Sequence, residues 1–81
     1  MGLRFEWDPT KADSNLKKHG VTFQEATTVF ADALSITIPD PNHSEGEARF
    51  LDLGLSHRHR LIVVSYTERG KIIKTYESKA Y

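Results

Sequence analysis

The hydrophobic rhythm of this chain changes once, at Leu34, and that change restricts the fold more than any other feature. Upstream, apolar residues recur at helical spacing; downstream, they alternate. Asp8 followed by Pro9 reads as a helix start, with Asp as N-cap and proline at the first helical position. Trp7 can pack back on Ala12, and the helix should run to about His19, where Gly20 supplies the left-handed cap. Lys11, Asn15 and Lys18 fall on one polar stripe, with Ala12, Leu16 and His19 on the adjoining face expected to turn inward. A second helix follows almost without a loop. Thr22 and Glu25 form a capping-box pair, Val21 can staple to Ala26, and Phe23, Ala26 and Phe30 share one face.

From Leu34, Leu34, Ile36 and Ile38 alternate with Ser35 and Thr37 as a half-buried strand that Pro39 ends. Residues 39–47 have loop composition. Alternation resumes over Arg49–Leu55, with Leu51, Leu53 and Leu55 on one side. "SHRHR" connects by a hairpin to residues 60–67, whose Leu61-Ile62-Val63-Val64 run predicts a central strand covered on both faces. Glu68-Arg69-Gly70 is a further turn, and residues 3–5 can add a short strand. The expected fold class is α+β, with two N-terminal helices packed on one face of an antiparallel sheet of three or four strands, five with the N-terminal one. The other face is left for function.

Eighty-one residues at 38% hydrophobic composition predict one small domain, residues 1–81. There is no cysteine, so disulfides and thiolate ligands contribute nothing and a reducing compartment fits. The longest apolar run is far below the ~20 residues a membrane helix needs, and the N-terminus lacks an apolar signal core. The expected location is the cytoplasm, with no membrane partner. Formal net charge is zero, which argues against bulk attraction to a polyanion, but the charges are unevenly distributed. Residues 1–20 hold four Lys/Arg and three Asp/Glu, residues 21–47 hold five acids and no Lys or Arg, and residues 48–81 hold seven Lys/Arg and three acids. That polarity predicts a surface for a polyanion and another for a second partner, although chance clustering in a short chain gives the same tally.

Three groups of residues have the right chemistry for a site. Lys11, Asn15 and Lys18 can receive a phosphate, with Lys11 as a point charge, or form a solvated helix face. His19 can transfer a proton, or sit in a last helical turn because the dipole favours it there. Glu47, Arg49, Arg58 and Arg60 straddle the strand hairpin. Cleaving RNA without a metal needs a base for the 2′-hydroxyl, cations for the charge on phosphate and a proton donor for the leaving oxygen. These residue types match, but composition does not show that they converge. His57-x-His59 with His43 lacks the spacing of a zinc site, and neither a metal nor a cofactor is expected. No Gly-rich phosphate loop, nucleophile elbow or DNA-reading helix is present.

Taken in order, "FEWDPTKADSNLKKHGVTFQEATTVFAD" resembles the opening of the BrnT toxins, ribonucleases of bacterial type II toxin–antitoxin systems. The match runs through Trp7, Asp8, Lys11, Asn15, Lys18, His19, Gly20, Phe23, Ala26, Phe30 and Asp32, and continues at Glu47, Arg49, Gly54 and the strand ending at Tyr66. It covers residues 5–70. The resemblance implies a RelE-like fold with a basic exposed sheet face, RNA cleavage that inhibits translation, and a neutralising BrnA-like antitoxin. The antitoxin would bring the DNA-binding module, so contact with operator DNA would be indirect. The acidic block of residues 21–47 fits either an antitoxin contact or simple solvation.

After Gly70 the chain departs from the family pattern, reading "KIIKTYESKAY". One alignment places Lys74 and Lys79 where arginines belong; another leaves about a dozen residues of a basic C-terminal helix without a counterpart. Lysine does not reproduce a bidentate phosphate grip. Two functional expectations follow. The first is a metal-independent endoribonuclease in which Lys11 holds phosphate, Glu47 acts as or positions a base, and Arg49 and Arg60 stabilise transition-state charge. Arg60 is preferred to Arg58 on strand position. Lys18, His19, Lys74 and Lys79 would bind RNA, with His19 a possible proton donor. The second is a catalytically weakened toxin-like module that acts by binding its antitoxin. A generic RNA-binding domain fits less well, because no aromatic stacking platform is evident.

Overall fold

The computed structural model describes residues 2–41 and 46–81. In chain order these form β1 (Arg4–Glu6), α1 (Pro9–His19), α2 (Phe23–Thr27), a 3₁₀ turn (Thr28–Ala31), β2 (Ile36–Pro39), β3 (Arg49–Leu55), β4 (Leu61–Arg69) and β5 (Ile72–Ala80). One sheet carries all five strands in the order β1-β5-β4-β3-β2. β2 to β5 are an antiparallel meander, whereas β1 runs parallel to β5 from Arg4↔Ile72 to Glu6↔Lys74. The sheet is therefore mixed, not antiparallel throughout. β5 ends the meander with an open edge, and β1 satisfies part of it, a pairing across the chain that local periodicity does not encode.

The helix termini follow their sequence signals. The Asp8 carboxylate accepts from Thr10 N–H at 2.8 Å. Gly20 sits at φ 69° and its N–H bonds Leu16 O at 2.9 Å. Thr22 Oγ1 accepts from Glu25 N–H at 3.0 Å, but the Glu25 carboxylate turns away from the cap. Trp7 stands edge-on against Phe23, with ring centroids 5.8 Å apart.

The core lies between the helices and one sheet face. Val21, Phe23, Ala26, Val29, Ile62, Val64 and Ile73 are buried there, with Tyr66 packed edge-on to Phe30. β3 comes close to the segment after the 3₁₀ turn. A Cβ on Gly54 would meet Ser35 Cβ at 2.8 Å and Val29 Cγ1 at 3.1 Å. The Asp32 carboxylate closes the same junction by accepting from Leu34 N–H at 3.0 Å and Leu55 N–H at 2.8 Å.

Three burial expectations change. β4 is the central strand, but within its Leu61–Val64 run Leu61 is exposed and only Ile62 and Val64 are fully buried, because no layer covers that end of the second sheet face. β2 is exposed along its whole length, not half-buried, for the same reason. On α1 the buried position is Asn15, and Leu16 points outward at 45% exposure. The helix is rotated toward Asn15 because that amide finds four hydrogen-bonding contacts inside.

Candidate functional site

Where β1 ends, at the register pair Glu6↔Lys74, the outer edge of β5 continues without a strand beside it. Asn15 fills that role. Its Oδ1 accepts from Ser78 N–H at 3.0 Å, and its Nδ2 donates to Ser78 O at 3.0 Å, so one side-chain amide pairs with the strand edge much as a neighbouring backbone would. Nδ2 also reaches Ser78 Oγ and Val21 O, each at 3.0 Å. This clamp sets α1 beside the sheet and lets the helix overhang the open face.

The overhang creates a groove of about 530 Å³. From α1 come Lys11, Ser14, Lys18 and His19; from the sheet come Arg49, Ser65, Tyr76, Glu77 and Lys79. Five of the residues expected from sequence, Lys11, Lys18, His19, Arg49 and Lys79, thus share one hollow. Asp40 and Glu77 are the acids in its lining. His19 Nε2 lies 3.2 Å from Glu77 Oε2, with the histidine side chain only 16% exposed. The helix-end histidine therefore faces a carboxylate across the groove, an arrangement suited to moving a proton.

Tyr76 is the main residue that sequence reasoning missed. β4 and β5 pair Ser65↔Glu77 and then Tyr66↔Thr75, so Tyr76 is the extra residue of a β-bulge. A bulge re-aims the side chain it carries. Here the ring lies against the Arg49 guanidinium, 4.0 Å from its centroid, with Lys11 Nζ at 5.4 Å and Lys74 Nζ at 5.7 Å. Its hydroxyl shares a 3.2 Å hydrogen bond with Thr67 Oγ1. One aromatic residue, half-buried under Arg49, is therefore present in the cationic surface. Its only sequence signal is its place in "KTYES", between two lysines.

Tyr76 also separates the groove from a second depression of about 220 Å³, lined by Glu6, Glu47, Thr67, Arg69, Ile72 and Lys74. Glu47 is ion-paired with Arg69 there, which raises the arginine's proton affinity further. Glu47 and Lys74 therefore stand across the tyrosine from the main groove.

Arg60 stands elsewhere. It immediately precedes β4, donates Nε to Glu25 Oε2 at 2.9 Å and Nη2 to Gly20 O at 3.1 Å, and forms a second, shorter bond to Glu25 Oε1. Ser56 Oγ donates to the same carboxylate at 2.7 Å. The Glu25 side chain is 3% exposed, and the Arg60 guanidinium holds its pKa down at about 2, against the opposing effect of burial and with help from Ser56. Arg58 lies 3.8 Å from Glu25. Neither arginine lines the groove.

His57 and His59 occupy the β3–β4 turn, within the segment expected to form the hairpin connection, with His57 N–H bonded to Thr28 Oγ1 at 2.9 Å and His59 at φ 61°. His43 lies outside the described residues. Among the described residues, no three His, Cys, Asp or Glu side chains are grouped so that they could hold a metal ion, and no helix is long and apolar enough to cross a membrane.

The family described as "Ribonuclease toxin, BrnT, of type II toxin-antitoxin system" matches residues 7–75. No curated protein matches the chain. Among solved structures, the crystal structure of the Brucella abortus ribonuclease toxin BrnT is similar in fold, with a TM-score of 0.70 at 17% identity over 98% of this chain and 96% of that one.

Proposed function

The chain belongs to the BrnT family of ribonuclease toxins of type II toxin–antitoxin systems, and on that premise we propose that its open groove binds single-stranded RNA and cleaves it without a metal. The observation that carries this reading is the convergence of Lys11, Lys18, His19, Arg49 and Lys79 on one hollow beside Tyr76. A neutral chain that gathers these cations at one place has a local site for a phosphodiester.

In this mechanism His19, placed against Glu77, takes the proton of the 2′-hydroxyl. The 2′-oxygen attacks phosphorus and the bond to the 5′-oxygen breaks. A 2′,3′-cyclic phosphate remains, and the departing 5′-oxygen takes its proton from solvent in the open groove. Lys11 and Arg49 stabilise the charge that builds on the phosphate oxygens. The position of Glu47, paired with Arg69 across Tyr76, favours His19 over Glu47 as the base. Arg60 supports the fold from beneath, and Lys74 contacts RNA only beyond the tyrosine. We further read residues 1–81 as one RelE-like toxin domain. Its RNA cleavage would inhibit translation in the cytoplasm, and a BrnA-like antitoxin would neutralise it and supply any contact with operator DNA.

The test is incubation of antitoxin-free protein with single-stranded RNA in the presence of EDTA. Cleavage should persist, and Lys11→Ala or Arg49→Ala should each lower kcat/KM by about 100-fold while leaving the thermal melt near that of the parent. Intact RNA after incubation with well-folded protein would overturn the enzyme reading. It would favour the second one, a toxin-like module that acts by binding its antitoxin. Lysines at positions 74 and 79 speak for that alternative, since neither grips phosphate bidentately.

A further inference from the structure

We propose that the apolar half of the open sheet face is where the antitoxin docks, through an amphipathic segment with an aliphatic stripe for β2–β4 and carboxylates for the neighbouring groove. The inference rests on the toxin–antitoxin reading and adds the surface and the chemistry of the partner.

The register builds this surface residue by residue. Ile36 pairs with Leu53, Ile38 with Leu51, Leu53 with Val63, and Leu55 with Leu61. These side chains share the helix-free face, opposite Ile62 and Val64. Ile36 is 61% exposed, Ile38 49%, Leu55 45% and Leu61 41%. A contiguous aliphatic patch of this kind on a small protein marks an interaction surface, because water gains when it is covered. Among the described residues, β2 pairs only with β3, so its outer edge borders the same patch.

Charge selects the occupant. The patch passes directly into the groove, since Leu51 and Val63 line both. Lys79 stands beside Val63 in register, and Arg49 lies two positions before Leu51 on the same side of β3. A partner seated on the aliphatic half therefore meets cations along one border. A second copy of this chain, placed face to face, would bring its own cationic border toward the first and be repelled. RNA would find isoleucine and leucine where it needs aromatic rings for stacking. An acidic amphipathic protein segment satisfies both halves, and by reaching Arg49 and Lys79 it also closes the groove to RNA.

The experiment titrates the purified chain with the protein encoded by the neighbouring gene. Ile36→Asp and Leu61→Asp, both at exposed sites outside the groove, should weaken binding roughly 30-fold or more and leave RNA cleavage by the free chain unchanged. Leu3→Asp, an exposed apolar position ahead of β1, should bind as the parent does. Parent-like affinity in both face variants would overturn the docking surface while leaving the toxin–antitoxin reading standing. Failure of the parent chain itself to bind would remove that reading and this proposal together. A dimer of the chain alone that Ile36→Asp dissociates, with antitoxin affinity unchanged, would assign the face to self-association and overturn the proposal.

Discussion

Arg60 donates to both oxygens of Glu25 and to the carbonyl of Gly20, tying the start of β4 to α2 and to the cap of α1. An arginine beside a strand is indistinguishable in sequence from one that binds phosphate; its partner decides, and Glu25 lies 35 residues away. Arg60→Ala leaves the buried Glu25 carboxylate with only Ser56 and the more distant Arg58, so it should lower stability, read as a fall in Tm, with little change in kcat for the fraction that stays folded. A catalytic Arg60 would show the reverse pattern. The same pair predicts acid behaviour. The Glu25 pKa is lowered from 4.5 to about 2, so its ion pair stabilises the fold fully above about pH 4.5, and that contribution is lost as pH falls toward about 2. Stability followed by denaturant titration should decline over this window in the parent and be flatter in Arg60→Ala.

At the scale of elements, the site depends on how α1 and β5 meet. Asn15 completes the β5 edge that β1 leaves open, and the bulge at Tyr76 turns a ring into the cations that α1 and β3 supply. The helical stripe of Lys11, Asn15 and Lys18 was legible from spacing, but not that its middle member points inward while its outer members reach the groove. The bulge left no trace in local pattern, because an inserted residue is defined only against its partner strand. Tyr76→Leu removes the surface on which Arg49 rests. With a cation–π contact worth about 1–2 kcal/mol at a partly desolvated site, kcat/KM for RNA should fall roughly 5- to 30-fold, while Tyr76→Phe should retain most of it.

At the scale of the whole molecule, a zero net charge coexists with a local cationic groove. Polyanion binding should therefore be confined to a few phosphates. For three or four contacts on a single strand, the slope of log binding constant against log salt should be about −2 to −3, measured by fluorescence titration of a short RNA with a cleavage-inactive variant. A much steeper slope would mean that RNA tracks over a wider surface than the groove. The mixed sheet places basic and aliphatic halves side by side on one face, with α2 packed against the other and α1 overhanging the basic half.

The division between sequence and structure follows the range of the interactions. Caps, helix limits, strand periodicity and the residue types of the groove are local, written within a few positions of one another, and residues 7–75 carry enough of them to identify the family. Which face of α1 turns inward, that β1 joins β5 in parallel, that Tyr76 bulges, and that Arg60 braces Glu25 while Arg49 faces the groove were decided only by tertiary structure. Each depends on partners in other elements, most of them tens of residues away, and a side chain's hydrogen bonds and burial are set by the partner it meets, not by its neighbours along the chain.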